Sequence, residues 1–159
     1  MATIELTTRI KAPIERCFLL SLSVDLHQLS TAKTNEKAIA GVTSGVMQLN
    51  DVVTWRAKHF AIYQNMTTKI SAYSPPNYFV SEMVKGTFRK IHHQHLFEWN
   101  GSETIMTDIF EFDAPLGIIG KLFSKLVLTT YMKGFLIERN ETIKRVAEND
   151  DWKKLLGEV

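Results

Sequence analysis

The sequence has little cysteine, no long apolar run and no excess of charge of one sign. Cys17 is the single cysteine among 159 residues, so no disulfide can form within the chain. The most apolar stretch, residues 116–136, is interrupted by Lys121, Lys125 and Lys133, whereas a membrane-spanning helix needs about 18 to 20 apolar residues in succession. The 19 basic and 17 acidic residues are scattered and give a net charge of +2. This balance gives no reason to expect nucleic acid or an anionic membrane as a partner.

Signals for export and for common catalytic sites are missing as well. The opening residues, MATIELTTRIKAP, contain no apolar core of the length that signal peptides have. No phosphate-binding glycine loop, nucleophile elbow or zinc-type cysteine spacing occurs. We therefore expect a cytoplasmic protein that needs no cofactor, in which Cys17 is a small buried hydrophobic residue.

The composition is that of one globular domain. Hydrophobic residues make up 45% of the chain and charged residues 23%, and a chain of this length buries roughly 70% of its unfolded surface. We find neither an internal repeat nor a linker. We predict one domain over residues 1–159, with a core at about residues 3–147 and a C-terminal appendage at about 149–159.

The first thirty residues predict one strand followed by two short helices. Residues 3–12, TIELTTRIKA, alternate between apolar and polar side chains, which is typical of a half-buried strand. Pro13 suits the start of a helix. A second short helix is expected over about Asp25 to Ser30.

Residues 36–113 predict about six strands. The segment NDVVTWRAKHF places Trp55 and His59 on one face, and Arg56 and Lys58 on the other. Because the basic side chains must reach water, we expect Trp55 and His59 to point inward. Asn100-Gly101 is a strong hairpin signal, so the sheet should be mostly antiparallel.

A long helix is predicted from about Leu116 to about Glu148. Its first half is apolar nearly all round, which favours a helix wrapped by other elements. Its second half is amphipathic, and we expect Arg139 to be a solvated surface residue. In the tail that follows, Trp152 and Leu155 are expected to fold back. A curved antiparallel sheet around one long helix is an α+β architecture that leaves a cleft for a small ligand.

Four segments resemble the START-like superfamily, also called SRPBCC or Bet v 1-like helix-grip proteins. They are IKAPIERCFLLSLSVDLHQL (10–29), GVMQLNDVVTWRAKHF (45–60), MVKGTFRKIHHQHLFEWNGSETIMTDIFEFDAPLGIIG (83–120) and YMKGFLIERN (131–140). The chain is most similar to bacterial single-domain members described only as ligand-binding. The resemblance implies a helix-grip fold with a deep, largely apolar cavity between sheet and helix. It leaves the function open, because the superfamily includes lipid carriers, hormone receptors and polyketide cyclases.

Three histidines stand within four residues in the segment RKIHHQHLFEW. Ile91, His93, His95 and Phe97 share a face, which we place toward the cavity because its ends are bulky and apolar. Phe88 falls on the wrong face unless a bulge intervenes.

The returning strand brings a carboxylate to the same face. Asp108 should point inward beside Met106 and Phe110. Counting outward from a tight Asn100-Gly101 turn sets Trp99 opposite Ser102 and Phe97 opposite Thr104. The same count sets His95 opposite Met106 and His93 opposite Asp108.

Three interpretations of this cluster stay open. It is a buried polar network completed by Thr104 and Trp55, or a pair of groups for recognition or acid–base chemistry on a ligand. The third is a metal site in which His93 and His95 are joined by His59 or Asp108. A cupin is set aside because Glu98 follows His95 too closely for the motif of that fold.

The leading hypothesis is a protein that binds a small hydrophobic or amphipathic molecule, such as a lipid, isoprenoid, polyketide or aromatic metabolite. The alternative is a polyketide cyclase- or dehydratase-like enzyme that uses a His/Asp pair in the same cavity. We predict neither a metal site nor membrane insertion, and the sequence leaves the oligomeric state open. The predicted ligand-binding residues are Trp55, His59, Phe79, Met83, His93, His95, Phe97, Met106, Asp108, Phe110, Phe123 and Tyr131.

Overall fold

A computed structural model describes residues 1–113 and 125–157. The chain begins with strand β1 (Ala2–Ile10), two short helices α1 (Ile14–Ser21) and α2 (Val24–Ser30), and a 3-10 turn (Ala32–Thr34). Six strands follow: β2 (Lys37–Gly41), β3 (Val52–His59), β4 (Ile62–Ser74), β5 (Tyr78–Lys85), β6 (Lys90–Trp99) and β7 (Thr104–Asp113). A long helix α3 (Lys125–Glu148) and a short helix α4 (Trp152–Leu156) complete the described chain.

The seven strands form one antiparallel sheet in the order β1-β7-β6-β5-β4-β3-β2. Helix α3 packs against β1 and against both short helices. The predicted helix-grip architecture, a curved antiparallel sheet around a long C-terminal helix, is therefore confirmed. Among the residues that the structure describes, no helix is long and apolar enough to cross a membrane.

The short helices begin near the predicted residues because local chemistry sets their starts. Pro13 occupies the N-cap position of α1. Helix α2 begins one residue earlier than expected, since the Ser23 hydroxyl accepts a hydrogen bond from the Leu26 amide at 3.1 Å.

The predicted pairing of β6 with β7 is wrong by two residues. Trp99 pairs with Thr104, and His95 rather than His93 pairs with Asp108. The loop has four residues instead of two, because the Asn100 side chain accepts hydrogen bonds from the amides of Ser102 and Glu103. A shift of two leaves every side chain on its predicted face.

Strand β6 begins at Lys90, so the alternation of side chains within β6 does not apply to Phe88. Phe88 precedes the strand, and its ring lies 5.9 Å from that of Phe112 in an edge-on contact. It therefore packs against the sheet without a bulge within β6.

Helix α3 differs from its prediction in how far it is covered. The predicted residues 116–124 lie outside the described part of the chain, and the first described turn is not wrapped. Leu126 is 76% exposed, whereas Leu128 and Leu136 are buried. The main described contacts of α3 are with β1, α1 and α2, and they leave the side that carries Leu126 uncovered.

The C-terminal tail folds back as predicted. Trp152 and Leu155 are half-buried against the core that includes α1. The Arg16 guanidinium lies 4.1 Å from the centre of the Trp152 ring, which gives a cation–π contact.

The described residues form two apolar core clusters that meet on β7. Met106 belongs to the cluster around Phe18 and Ile143, and Phe110 belongs to the cluster around Leu136. Asp108 lies between Met106 and Phe110 on the same face and has no exposed surface. The sequence thus places one carboxylate at the junction of two apolar clusters.

Candidate functional site

A cavity of about 180 Å³ lies between the concave face of the sheet and helix α3. Its walls are mostly apolar, with Met47 and Ile70 on one side and Leu128 and Leu136 on the other. Seven of the predicted ligand-binding residues line it: Trp55, His59, Phe79, His93, His95, Phe110 and Tyr131.

Four other predicted residues do not line this cavity. Phe97 and Met106 belong to the core, where the Phe97 ring lies 5.5 Å from that of Phe18. Met83 packs at the edge of the second cluster, where its sulfur lies close to Gly86. Asp108 is buried behind the two histidines. Phe123 lies outside the described residues.

The Asp108 carboxylate organises the polar end of the cavity. Its Oδ1 atom accepts a hydrogen bond from Nε2 of His93 at 2.8 Å, and its Oδ2 atom accepts one from the Asn140 amide at 2.7 Å. The Arg139 guanidinium lies 3.6 Å from Oδ1. Three elements, β6, β7 and α3, therefore meet at one buried carboxylate.

His95 is held mainly by stacking. Its ring lies 4.1 Å from the Phe79 ring, nearly parallel to it, and 3.7 Å from the His93 ring. Its Nδ1 atom is 3.1 Å from Oδ1 of Asp108, but the direction is too poor for a hydrogen bond. No other described group pairs with this buried nitrogen.

The prediction that Arg139 is a solvated surface residue is wrong. Arg139 is only 6% exposed, and it donates hydrogen bonds to the Asn140 side chain at 3.1 Å and to the Ser21 carbonyl at 3.3 Å. Asp108 supplies the opposite charge that makes this burial tolerable. Helical spacing in the sequence does indicate this burial, since Arg139 lies on the same side of α3 as the buried Leu136 and Ile143.

Burial and mutual contact set the protonation of this network. Burial alone would raise the pKa of Asp108, but the hydrogen bond from His93 and the contact with His95 hold that pKa well below its usual value. Burial lowers the pKa of His93, and it lowers the pKa of His95 further with help from the neighbouring His93. Burial also lowers the pKa of Arg139, although Asp108 opposes this shift. Because a guanidinium stays protonated in proteins, the network pairs one anion and one cation with two neutral imidazoles.

Neither Thr104 nor Trp55 completes this network, contrary to the first interpretation of the cluster. The Thr104 hydroxyl donates to the Ala12 carbonyl at 2.7 Å, and the Trp55 indole donates to the Thr68 hydroxyl at 3.3 Å. Arg139 and Asn140 complete the network instead, and Asn140 lies 32 residues after Asp108 in the chain.

A second pair of polar side chains, His27 and Glu36, lines the cavity near α2 and β3. Nε2 of His27 lies 2.9 Å from the Glu36 carboxylate, and the His27 ring lies 4.2 Å from the Trp55 ring. Glu36 is only 4% exposed. No sequence pattern indicates this pair, since Glu36 lies in an irregular segment without periodicity.

His59 and Tyr131 join the sheet to helix α3. Nδ1 of His59 lies 2.6 Å from the Tyr131 hydroxyl. Burial lowers the pKa of His59 and raises that of Tyr131, so both groups are neutral near pH 7. His59 points inward as predicted, and both groups line the cavity.

The cluster of His93, His95 and Asp108 is compact enough to offer three ligand atoms to a metal, all within 4.8 Å of one another. Two neutral imidazoles and a carboxylate are an ordinary donor set for a divalent ion. The nearby Arg139 charge opposes a cation at this point, however, and Asn140 already binds the second carboxylate oxygen. His59 is not part of this group.

Comparisons with known proteins find similarity in structure only. No protein-family model matches the chain, and no curated protein matches its sequence. A START superfamily protein from Mycobacterium smegmatis superimposes with a TM-score of 0.70 at 9% identity, over 92% of this chain and 97% of that one. Ginseng major latex-like protein 151 from Panax ginseng gives a TM-score of 0.68 at 15% identity, over 93% of this chain and 98% of that one.

An enzyme is also among the similar structures. The Zhui aromatase/cyclase from Streptomyces sp. R1128 has a TM-score of 0.70 at 11% identity, over 92% of this chain and 93% of that one. The TM-scores establish the fold, and identities this low leave the ligand and the reaction open. The sheet order, the long helix and these likenesses show that the chain has the START-like, Bet v 1-like helix-grip fold.

Proposed function

We propose that the protein binds a small hydrophobic or amphipathic molecule in the cavity between the sheet and helix α3. The observation behind this proposal is the cavity itself, a largely apolar space that ends in a buried polar network. An apolar enclosure with a few convergent polar groups is the usual form of a small-molecule site.

The size of the space favours a compact ligand. A volume of about 180 Å³ corresponds to on the order of a dozen water molecules. Among the lipid, isoprenoid, polyketide and aromatic classes, a ligand with one to three rings suits this space better than a long acyl chain. Its apolar body would lie against Phe79, Phe110 and Leu128, with its polar group toward His93, His95 and Arg139.

Native mass spectrometry tests this proposal directly. The freshly purified protein should show a noncovalent adduct of a few hundred daltons that is lost on denaturation. Ala57 lines the cavity and is 4% exposed, so Ala57→Phe should fill the space and abolish the adduct. Lys58→Phe introduces the same side chain at the next residue on the outer face of β3, and it should leave the adduct in place. An apo mass in every sample, together with no binding of the neutral probe N-phenyl-1-naphthylamine, would contradict the proposal.

A cyclase- or dehydratase-like enzyme is the second candidate. The favouring observation is that His93, on the cavity wall, is oriented by a buried carboxylate, as a general base requires. Chromatography of the released ligand distinguishes the two candidates, since a carrier returns its ligand unaltered and an enzyme releases a cyclised or dehydrated product.

We also propose that the protein is located in the cytoplasm. Cys17, the single cysteine, is a fully buried free thiol, which suits a reducing compartment.

A further inference from the structure

The buried carboxylate decides which nitrogen of His93 holds the proton. The Asp108 pKa lies well below its usual value, so the group is an anion that only accepts hydrogen bonds. Nε2 of His93 lies 2.8 Å from Oδ1 and must be the donor. In a neutral ring the other nitrogen, Nδ1, is then unprotonated. This lone pair belongs to a ring that lines the cavity.

His95 has the opposite tautomer for the same reason. Its Nδ1 atom lies 3.1 Å from the same carboxylate oxygen and has no other partner among the described residues. An unprotonated Nδ1 would set a lone pair against an anionic oxygen, whereas an N–H there is attracted to it even when the angle is bent. The proton therefore belongs on Nδ1, which leaves the lone pair of His95 on Nε2.

Arg139 adds positive charge to the same end of the cavity. Its guanidinium has five N–H groups, and hydrogen bonds to Asn140 and Ser21 use two of them. Asp108 itself does not line the cavity, since it lies behind the histidines. A ligand at this end meets two imidazole acceptors and a cation.

From this juxtaposition we propose that the polar end of the cavity binds a phenolic or enolic hydroxyl group. The hydroxyl donates its hydrogen bond to Nδ1 of His93 or Nε2 of His95, and its oxygen lies toward the Arg139 guanidinium. This inference rests on the proposed ligand-binding function and names the group that the ligand presents.

Other polar groups fit this end less well. A carboxylate has no proton to donate and would face two lone pairs. An ammonium group would meet the Arg139 charge directly, because Arg139 lines the cavity and the balancing Asp108 does not. An aliphatic alcohol has the right donor, but less negative charge develops on its oxygen than on that of a phenol or enol. A positive guanidinium therefore favours the more acidic hydroxyl.

A matched pair of probes tests the inference. 1-Naphthol and 1-methoxynaphthalene have the same ring system, but in the second a methyl group replaces the hydroxyl proton. The native protein should bind 1-naphthol about tenfold more tightly in a calorimetric or fluorescence titration, as expected when a buried acceptor is left unpaired by the ether. The variants His93→Phe and His95→Phe should reduce this preference to about twofold or less.

His92→Phe is the control, because His92 lies next to His93 on the outer face of β6 and contacts Glu82. It should keep the preference of the native protein. Equal binding of the two probes by the native protein would overturn the hydroxyl site alone, and so would a preference that survives both cavity substitutions. Binding of neither probe would instead contradict the proposed cavity function.

A second measurement needs no variant. Nitrogen-15 NMR of the histidine rings in the native protein should show a proton on Nε2 of His93 and on Nδ1 of His95. Protons on the opposite nitrogens would remove both acceptors from the cavity and overturn the inference.

Discussion

At the residue scale, Asp108 determines the protonation and the pairing of its neighbours. It is fully buried, yet it receives a hydrogen bond from one histidine, a contact from a second, an amide hydrogen bond and a guanidinium charge. A buried ion pair of this kind is costly to break, because the remaining charge cannot reach water.

Removing the charge of Asp108 should therefore destabilise the protein. Asp108→Asn leaves Arg139 buried without its counter-ion, and we expect a loss of about 3 kcal/mol in the free energy of unfolding. Urea denaturation measures the change. The double variant Asp108→Asn/Arg139→Gln removes both charges and should be more stable than the single variant. A double variant less stable than Asp108→Asn would show that the ion pair is not the source of the loss.

Cys17 allows a second prediction at this scale. Burial raises the pKa of its thiol to about 11, and the side chain has no exposed surface. Since the thiolate is the reactive form, a disulfide reagent at about pH 8 should modify the native protein far more slowly than the protein in denaturant. Rapid modification of the native protein would contradict this burial.

At the scale of elements, the β6–β7 hairpin shows how one side chain sets a register. The Asn100 carboxamide accepts hydrogen bonds from the Ser102 amide, the Ser102 hydroxyl and the Glu103 amide. Gly101 has a φ of 97°, a conformation that favours glycine. The loop therefore closes over four residues, and His95 pairs with Asp108.

Asn100→Ala should weaken this hairpin. The loss of three acceptor contacts in a solvent-exposed turn should reduce the free energy of unfolding by about 1 kcal/mol, measured by urea denaturation. Ser102→Ala removes only the hydroxyl donor and should cost less. An Asn100→Ala variant as stable as the native protein would show that the strands alone set the register.

At the scale of the whole molecule, the neutral buried histidines make stability depend on pH. The pKa values of His93 and His95 lie below the ordinary value of 6.5 in the folded protein. The unfolded chain therefore binds more protons than the folded protein once the pH falls below about 6.5. Stability should be greatest at neutral pH and should decrease with acidification. Asp108 adds a further loss only below its own ordinary value of 3.8.

Denaturant unfolding across this range tests the prediction. We expect on the order of 1–2 kcal/mol to be lost between about pH 7 and about pH 5.5. A His93→Gln/His95→Gln variant should show a flatter dependence, whereas His92→Gln should keep the slope of the native protein. A slope unchanged by the double substitution would assign the dependence to other groups.

The sequence determined the fold class and the direction of the side chains on the cavity face. Strand alternation has a period of two, so it correctly predicts the inward direction of His93, His95 and Asp108 although the observed pairing differs from the predicted one by two residues. The same alternation correctly predicts that Trp55 and His59 point inward, because the neighbouring Arg56 and Lys58 must reach water.

Only the tertiary structure decided which polar groups meet. The sequence predicts Arg139 at the surface, since a charged side chain is rarely buried unless it is paired, and its partner Asp108 lies on another element. Glu36 and His27 meet in the same way, through folding rather than through a local pattern. Periodicity records which side of an element is buried, whereas the pairing of buried charges depends on distances between elements, and those distances exist only once the helix has packed on the sheet.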